Sequence, residues 1–139
     1  MSRGFTSIIW IWNFDGEKGR VECIYSLGNA LEDLALSQLQ QEECIADCVY
    51  CELSLSFFSA YDRFLKEVLF HAPLDLQDSL SQISRSFDDL DESEKECFNR
   101  DILKGVGWNQ IRNISQRALL QMEWEELIIC HDDLYANYS

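Results

Sequence analysis

Cys44, Cys48 and Cys51 are the residues of this chain whose type and spacing come nearest to a reactive centre. Three and then two residues separate the thiols, with Tyr50 just before the last. Thiolates grouped in this way ligate soft metals or iron–sulfur clusters. His71 and the run His131-Asp132-Asp133 form a second set, imidazole with carboxylate, of the kind that holds a hydrolytic metal. Carboxylates are the third resource, and they gather in two places. One cluster is Asp88, Asp89, Asp91, Glu92, Glu94 and Glu96; the other is Glu123, Glu125, Glu126, Asp132 and Asp133. Their chemistry is ionic: they pair with the Lys and Arg groups of a basic partner.

The thiol spacing resembles the cluster-binding signature of radical S-adenosylmethionine enzymes, in which three thiolates hold an iron–sulfur cluster on a loop after the first strand of an α/β barrel. A chain of 139 residues is too short for that barrel and lacks its alternation of strands and helices. Positions i, i+4 and i+7 also share one helical face, so the three cysteines are expected as small, reduced, packed side chains. In outline the His and Asp residues resemble helical phosphohydrolases, but those use a further Asp downstream, and only Leu134 to Ser139 follow here. There is no nucleophile elbow and no Gly-rich phosphate loop. No catalytic, cofactor-binding or metal-binding residue is therefore assigned.

Apolar spacing indicates the elements that carry these groups. Between about Ala30 and Ala72 two stripes recur at helical intervals. One is Cys44, Cys48, Cys51, Leu55, Phe58, Leu65, Leu69; the other is Ala46, Tyr50, Leu53, Phe57, Tyr61, Phe64, Val68. A helix apolar on two faces needs cover on both, so residues 29–72 are expected as a central helical segment, with a break near Gln38 to Glu43. Asn29 is its expected N-cap and Pro73 its stop. Before it, Phe5 to Phe14 and Arg20 to Leu27 flank a turn at Asp15-Gly16 and suggest a β-hairpin within residues 1–28, although the first arm also suits a short buried helix. After it, residues 74–139 supply further helices. Leu76, Leu80, Ile83 and Phe87 mark the first. A second is capped by Asp91 or Ser93 and carries Cys97, Phe98, Ile102 and Leu103. The last runs from Asn109 with Ile111, Ile114, Ala118, Leu119, Met122, Leu127 and Ile128. The expected fold is mostly α: a single-domain bundle of four to five helices around the central one.

Charge narrows the function. Acidic residues number 25 against 11 basic, for a net charge of −14 and a pI near 4.3. Phosphate backbones and anionic lipid surfaces repel such a chain, so neither direct nucleic-acid nor membrane binding is expected. No run reaches the roughly 18 apolar residues of a spanning helix, and Met1 to Phe14 lacks a cleavage region of small residues. A cytoplasmic location is the expectation. Leu90, Trp124 and the Gly-flanked Trp108 are expected to be exposed apolar anchors rimmed by charge, the anatomy of a tight interface. In general character the chain resembles the small acidic immunity proteins that bacteria pair with secreted nuclease toxins. That resemblance implies an inhibitor that occludes a basic groove. Phage-type nucleic-acid mimics of a defence nuclease's substrate and non-enzymatic helical adaptor proteins are the alternatives, with a thiol- or metal-dependent enzyme ranked after them.

Overall fold

A computed structural model describes residues 4–45, 48–97 and 99–136, with residues 135 and 136 described by backbone alone. The described chain is helical throughout, with α1 (Phe5–Phe14), α2 (Lys18–Ala35), α3 (Gln38–Cys44), α4 (Val49–Glu67), α5 (Leu74–Asp88), α6 (Val106–Gln121), α7 (Trp124–Ile129) and α8 (His131–Ala136). Short 3₁₀ turns lie at Leu69–His71, Glu92–Lys95 and Arg100–Lys104.

The expected hairpin is two helices instead. Phe5, Ile9 and Trp12 are buried at intervals of four and three, which is a helical face and not an alternating one. Gly16, at φ +76°, turns the chain back. In α2 the β-branched and aromatic residues that suggested a strand also fall at helical spacing: Val21, Ile24, Leu27, Leu31 and Leu34 are all buried. Tertiary packing overrides their local preference for extended structure.

The organising helix is α2, not the segment after it. Its buried positions, from Val21 through Tyr25, Gly28 and Ala30 to Leu34, sweep roughly 220° of the helix at about 100° per residue. Cover comes from α1, α4 and α6, and α5 packs on the outer side of α6. Asn29 is thus no cap; it lies in mid-helix. Residues 29–72 split three times, at Leu36–Ser37, between the end of α3 at Cys44 and the start of α4 at Val49, and at Val68. The polar patch expected to be a break, Gln38 to Glu43, is itself helical because Ser37 and Gln40 close a capping box at its start. α4 is covered on one face only. Leu53, Phe57, Phe64 and Val68 are buried, whereas Leu55 is exposed and Phe58 is half-buried.

Other expectations hold more closely. After Pro73, Leu76, Leu80, Ile83 and Phe87 are the buried face of α5. The expected helix after Asp91 is instead a pair of 3₁₀ turns, with Asp91 capping the first and Ile102 and Leu103 buried in the second; Phe98 lies outside the described residues. The last expected helix starts earlier, at Val106, and divides at Glu123, whose φ of 60° is left-handed. Two linked residues tie the far end of the bundle together. Arg112, buried in α6, donates to Gln41 Oε1 at 2.9 Å and to the Leu103 carbonyl at 3.2 Å. Gln41 donates in turn to the carbonyls of Asp33 and Leu34 at the end of α2, each at 3.0 Å.

Candidate functional site

The two carboxylate clusters lie at opposite ends of α6. Glu94 accepts a hydrogen bond from Gly107 N at 3.1 Å, at the start of that helix. Glu123 stands just beyond its C-terminus. The sixteen residues of α6 between them span about 24 Å at about 1.5 Å per residue. They are two surfaces, not one.

Within the first cluster several carboxylates are already engaged in the fold. Glu94 also accepts from Asp91 N, and its carbonyl receives the Trp108 indole N–H at 2.9 Å. Glu96 accepts from Asn99 Nδ2. Asp88, Asp89, Asp91 and Glu92 are exposed. The expected anchors are absent from this surface: Trp108 is 1% exposed and packs edge-on to Phe87 and Tyr50, and Leu90 is buried beside it. The flanking glycines had suggested an exposed position for Trp108. Here the glycines start a helix, and their lack of side chains lets Glu94 and Leu90 approach its first turn.

Around the second cluster the arrangement differs. Tyr25 donates its hydroxyl to the Leu127 carbonyl, and the Trp124 ring lies against Tyr25 and over Gly28, docking α7 on α2. Trp124 is 6% exposed, so it too is no protruding anchor; its indole N–H is buried without a partner among the described residues. Beside it a groove of about 550 Å³ runs between α2, α6 and α7. Its lining is Glu32, Gln116, Leu119, Leu120, Glu123, Trp124, Glu125 and Glu126. No Lys or Arg is among them, and Leu120, on its wall, is 76% exposed. A smaller hollow continues past Trp124 to Ile128, His131 and Asp132. Glu123 serves the fold as well: its Oε1 accepts from Thr6 N at 2.9 Å and Thr6 Oγ1 at 2.7 Å, capping the start of α1. Glu32, Glu125, Glu126 and Asp133 are exposed, and Asp132 lies 3.4 Å from His131 Nδ1.

Sequence spacing did not disclose Glu32, Leu119 or Leu120 as part of this surface. Glu32 belongs to the other helix of the groove, and only the docking of Trp124 over Gly28 brings the two helices together. Among the remaining reactive groups, His71 stacks edge-on against Trp12 and His131 against Tyr25. Among the described residues, the one close set of three possible metal ligands is Cys48, Cys51 and Cys97. Cys44, exposed at the end of α3, is not in it, because α3 ends at Cys44 and α4 begins only at Val49, so the expected continuous face does not form. No helix among the described residues is long and apolar enough to cross a membrane.

Compared with known proteins, the chain matches no family model, no curated protein and no solved structure.

Proposed function

We propose that this chain is a binding protein that captures a basic protein partner in the groove between α2, α6 and α7. On this reading it acts as an immunity-type inhibitor, occluding the nucleic-acid groove of a toxin nuclease in the cytoplasm. One observation carries the proposal: an apolar floor of Leu119, Leu120 and the Trp124 edge is rimmed by Glu32, Glu125 and Glu126, with no cationic residue in the lining. Apolar contact area supplies affinity at such a surface, while the carboxylates steer a cationic partner and reject an anionic one.

A groove so lined suits one amphipathic helix or one extended strand of the partner, Leu- or Ile-like on one side and Lys- or Arg-rich on the other. The separation of the two acidic clusters by the length of α6 supports a local groove over a continuous nucleic-acid mimic. A mimic requires carboxylates in a long unbroken series, and buried Leu90 with the engaged Glu94 interrupts the first cluster.

The test is co-expression with the basic nuclease domain encoded nearest to this chain. The nuclease alone should stop growth, and the pair should grow. A triple variant, Glu32→Lys, Glu125→Lys and Glu126→Lys, should lose protection while remaining folded. Protection undiminished in that variant rejects the groove; no protection by the unmodified chain rejects the inhibitor.

A further inference from the structure

Three thiols from two distant parts of the chain converge at the start of α4. Cys48 is the N-cap of that helix, Cys51 lies in its first turn, and Cys97 comes from the segment between the two 3₁₀ turns. We propose that Cys48, Cys51 and Cys97 form a three-thiolate zinc site, with a fourth, exchangeable position open to water on the side where Cys97 is exposed.

Geometry supports the assignment. Ligands placed tetrahedrally at a zinc–sulfur distance of about 2.3 Å stand about 3.8 Å from each other. The Cys51 and Cys97 sulfurs are 3.8 Å apart, and all three lie within 4.8 Å of one another. A disulfide would need about 2.0 Å. Cys48 and Cys51 are also spaced as the C-x₂-C half of structural zinc sites. The N-cap position is normally held by Ser, Thr, Asp or Asn. Here a sulfur takes it, accepting the Cys51 backbone N–H at 3.4 Å. An amide N–H aimed at sulfur, at the positive end of a nineteen-residue helix, favours the thiolate over the thiol.

The third ligand is held in place from outside the cluster. Arg100 donates to the carbonyls of Glu42 and Ile45, at 2.6 and 2.5 Å, clamping the segment that carries Cys97 to the end of α3 just before Cys48. Asn99 caps the following turn through Asp101 N. Without a cation Cys51 and Cys97 hold their protons. Hydrogen bonding with the Cys48 and Cys97 sulfurs, with burial, pushes the Cys51 thiol up to about 12, and Cys97 is raised by its contact with Cys48. A divalent cation inverts that balance. Binding forms three Zn–S bonds and releases three protons to solvent, with no oxidant or reductant consumed. Affinity therefore falls as pH is lowered.

The full chain, reduced and stripped of metal, is titrated with Co²⁺ and then with Zn²⁺. The expected result is one equivalent of cobalt bound, with thiolate-to-cobalt charge transfer in the near ultraviolet and tetrahedral bands in the red. Zinc should bleach both. Cys97→Ser should weaken binding by about 100-fold or more, beyond the loss expected of a merely supporting group. Because Cys97 is exposed, its variant tests ligation separately from folding, which circular dichroism checks. Cys44→Ser should leave the titration unchanged. The site is overturned by the absence of charge transfer with one equivalent of cobalt, by its survival in Cys97→Ser, or by its loss in Cys44→Ser. None of these readouts involves the groove at the other end of α6.

Discussion

The Trp124 indole occupies the space that a β-carbon at Gly28 would need: an ideal Cβ there would stand 2.0 Å from Trp124 Cζ3 and 2.3 Å from Cη2. Gly28 is in the middle of α2, where alanine is ordinarily better by about 0.5–1 kcal/mol. The clash outweighs that gain, because the obstacle is a rigid buried ring and not the end of a flexible chain. Gly28→Ala should destabilise the fold by about 1–3 kcal/mol, the usual cost of overpacking. Gly19→Ala is the contrast. It is in the same helix with its nearest neighbour at 3.4 Å, and it should stabilise by a few tenths to about 1 kcal/mol. Urea melts of both variants check the pair; equal midpoints would contradict the packing described.

The same glycine explains what the sequence could and could not disclose. Leu76, Leu80, Ile83 and Phe87 were legible as a buried face because helical spacing and burial coincide along one element. Gly28-Asn29 reads locally as a helix start with Asn29 as its cap, and only the distant Trp124 turns it into mid-helix. Trp108 and Trp124 were legible as important but not as buried, since size and hydrophobicity do not say which surface an aromatic covers. Apolar spacing predicted a helical class correctly, yet β-branched residues in the first 28 positions carried a strand preference that packing against α4 and α6 overrode. Cys97 was invisible as a partner of Cys48 and Cys51, because nothing local links residues so far apart in sequence.

Glu123 joins two tasks at one position, capping α1 through Thr6 and making the left-handed turn between α6 and α7. Glu123→Ala should cost about 1–2 kcal/mol, the scale of a lost cap. Glu123→Gly loses the same cap but relieves the positive φ, worth roughly 1 kcal/mol, so it should be the milder change. Combined with Thr6→Val, Glu123→Ala should add less than the sum of the two single losses, since both remove one interaction. Chemical denaturation of the unmodified chain, Glu123→Ala, Thr6→Val and their double variant gives the cycle, and Glu123→Gly is read beside it. An additive result would mean that Thr6 and Glu123 act independently.

Arg112 and Gln41 offer an ordering of effects. Burial holds the Arg112 guanidinium below its ordinary pKa, and Gln41 Oε1 is one of its few partners. Arg112→Met removes the charge and strands neutral acceptors, a loss of about 1–3 kcal/mol. Gln41→Leu instead leaves a charge underpaired and frees two carbonyls at the end of α2, so it should be the more damaging. The double variant should recover part of that difference. Thermal melts decide the order; Arg112→Met proving the worse would show that the guanidinium packs chiefly through its other contacts.

Charge at the groove predicts how binding responds to salt. The carboxylates of Glu32, Glu125 and Glu126 are exposed, so their attraction to a cationic partner is screened over about 8–10 Å at ordinary ionic strength. A helical peptide of alternating Leu and Lys faces is a sufficient probe. Its affinity for the unmodified chain should fall as salt rises, mostly through a slower on-rate. Reversing Glu125 and Glu126 to Lys should weaken it and flatten the salt dependence, while Asp88→Lys with Asp89→Lys, at the far end of α6, should change only the small long-range part. Leu120→Ala separates area from charge: it should weaken the peptide at every salt concentration, by about 1 kcal/mol or more, and leave the slope unchanged. Stopped-flow binding across a salt series reads all three. Equal losses from the two charge-reversed ends would mean that the net charge of the molecule, and not this groove, attracts the peptide.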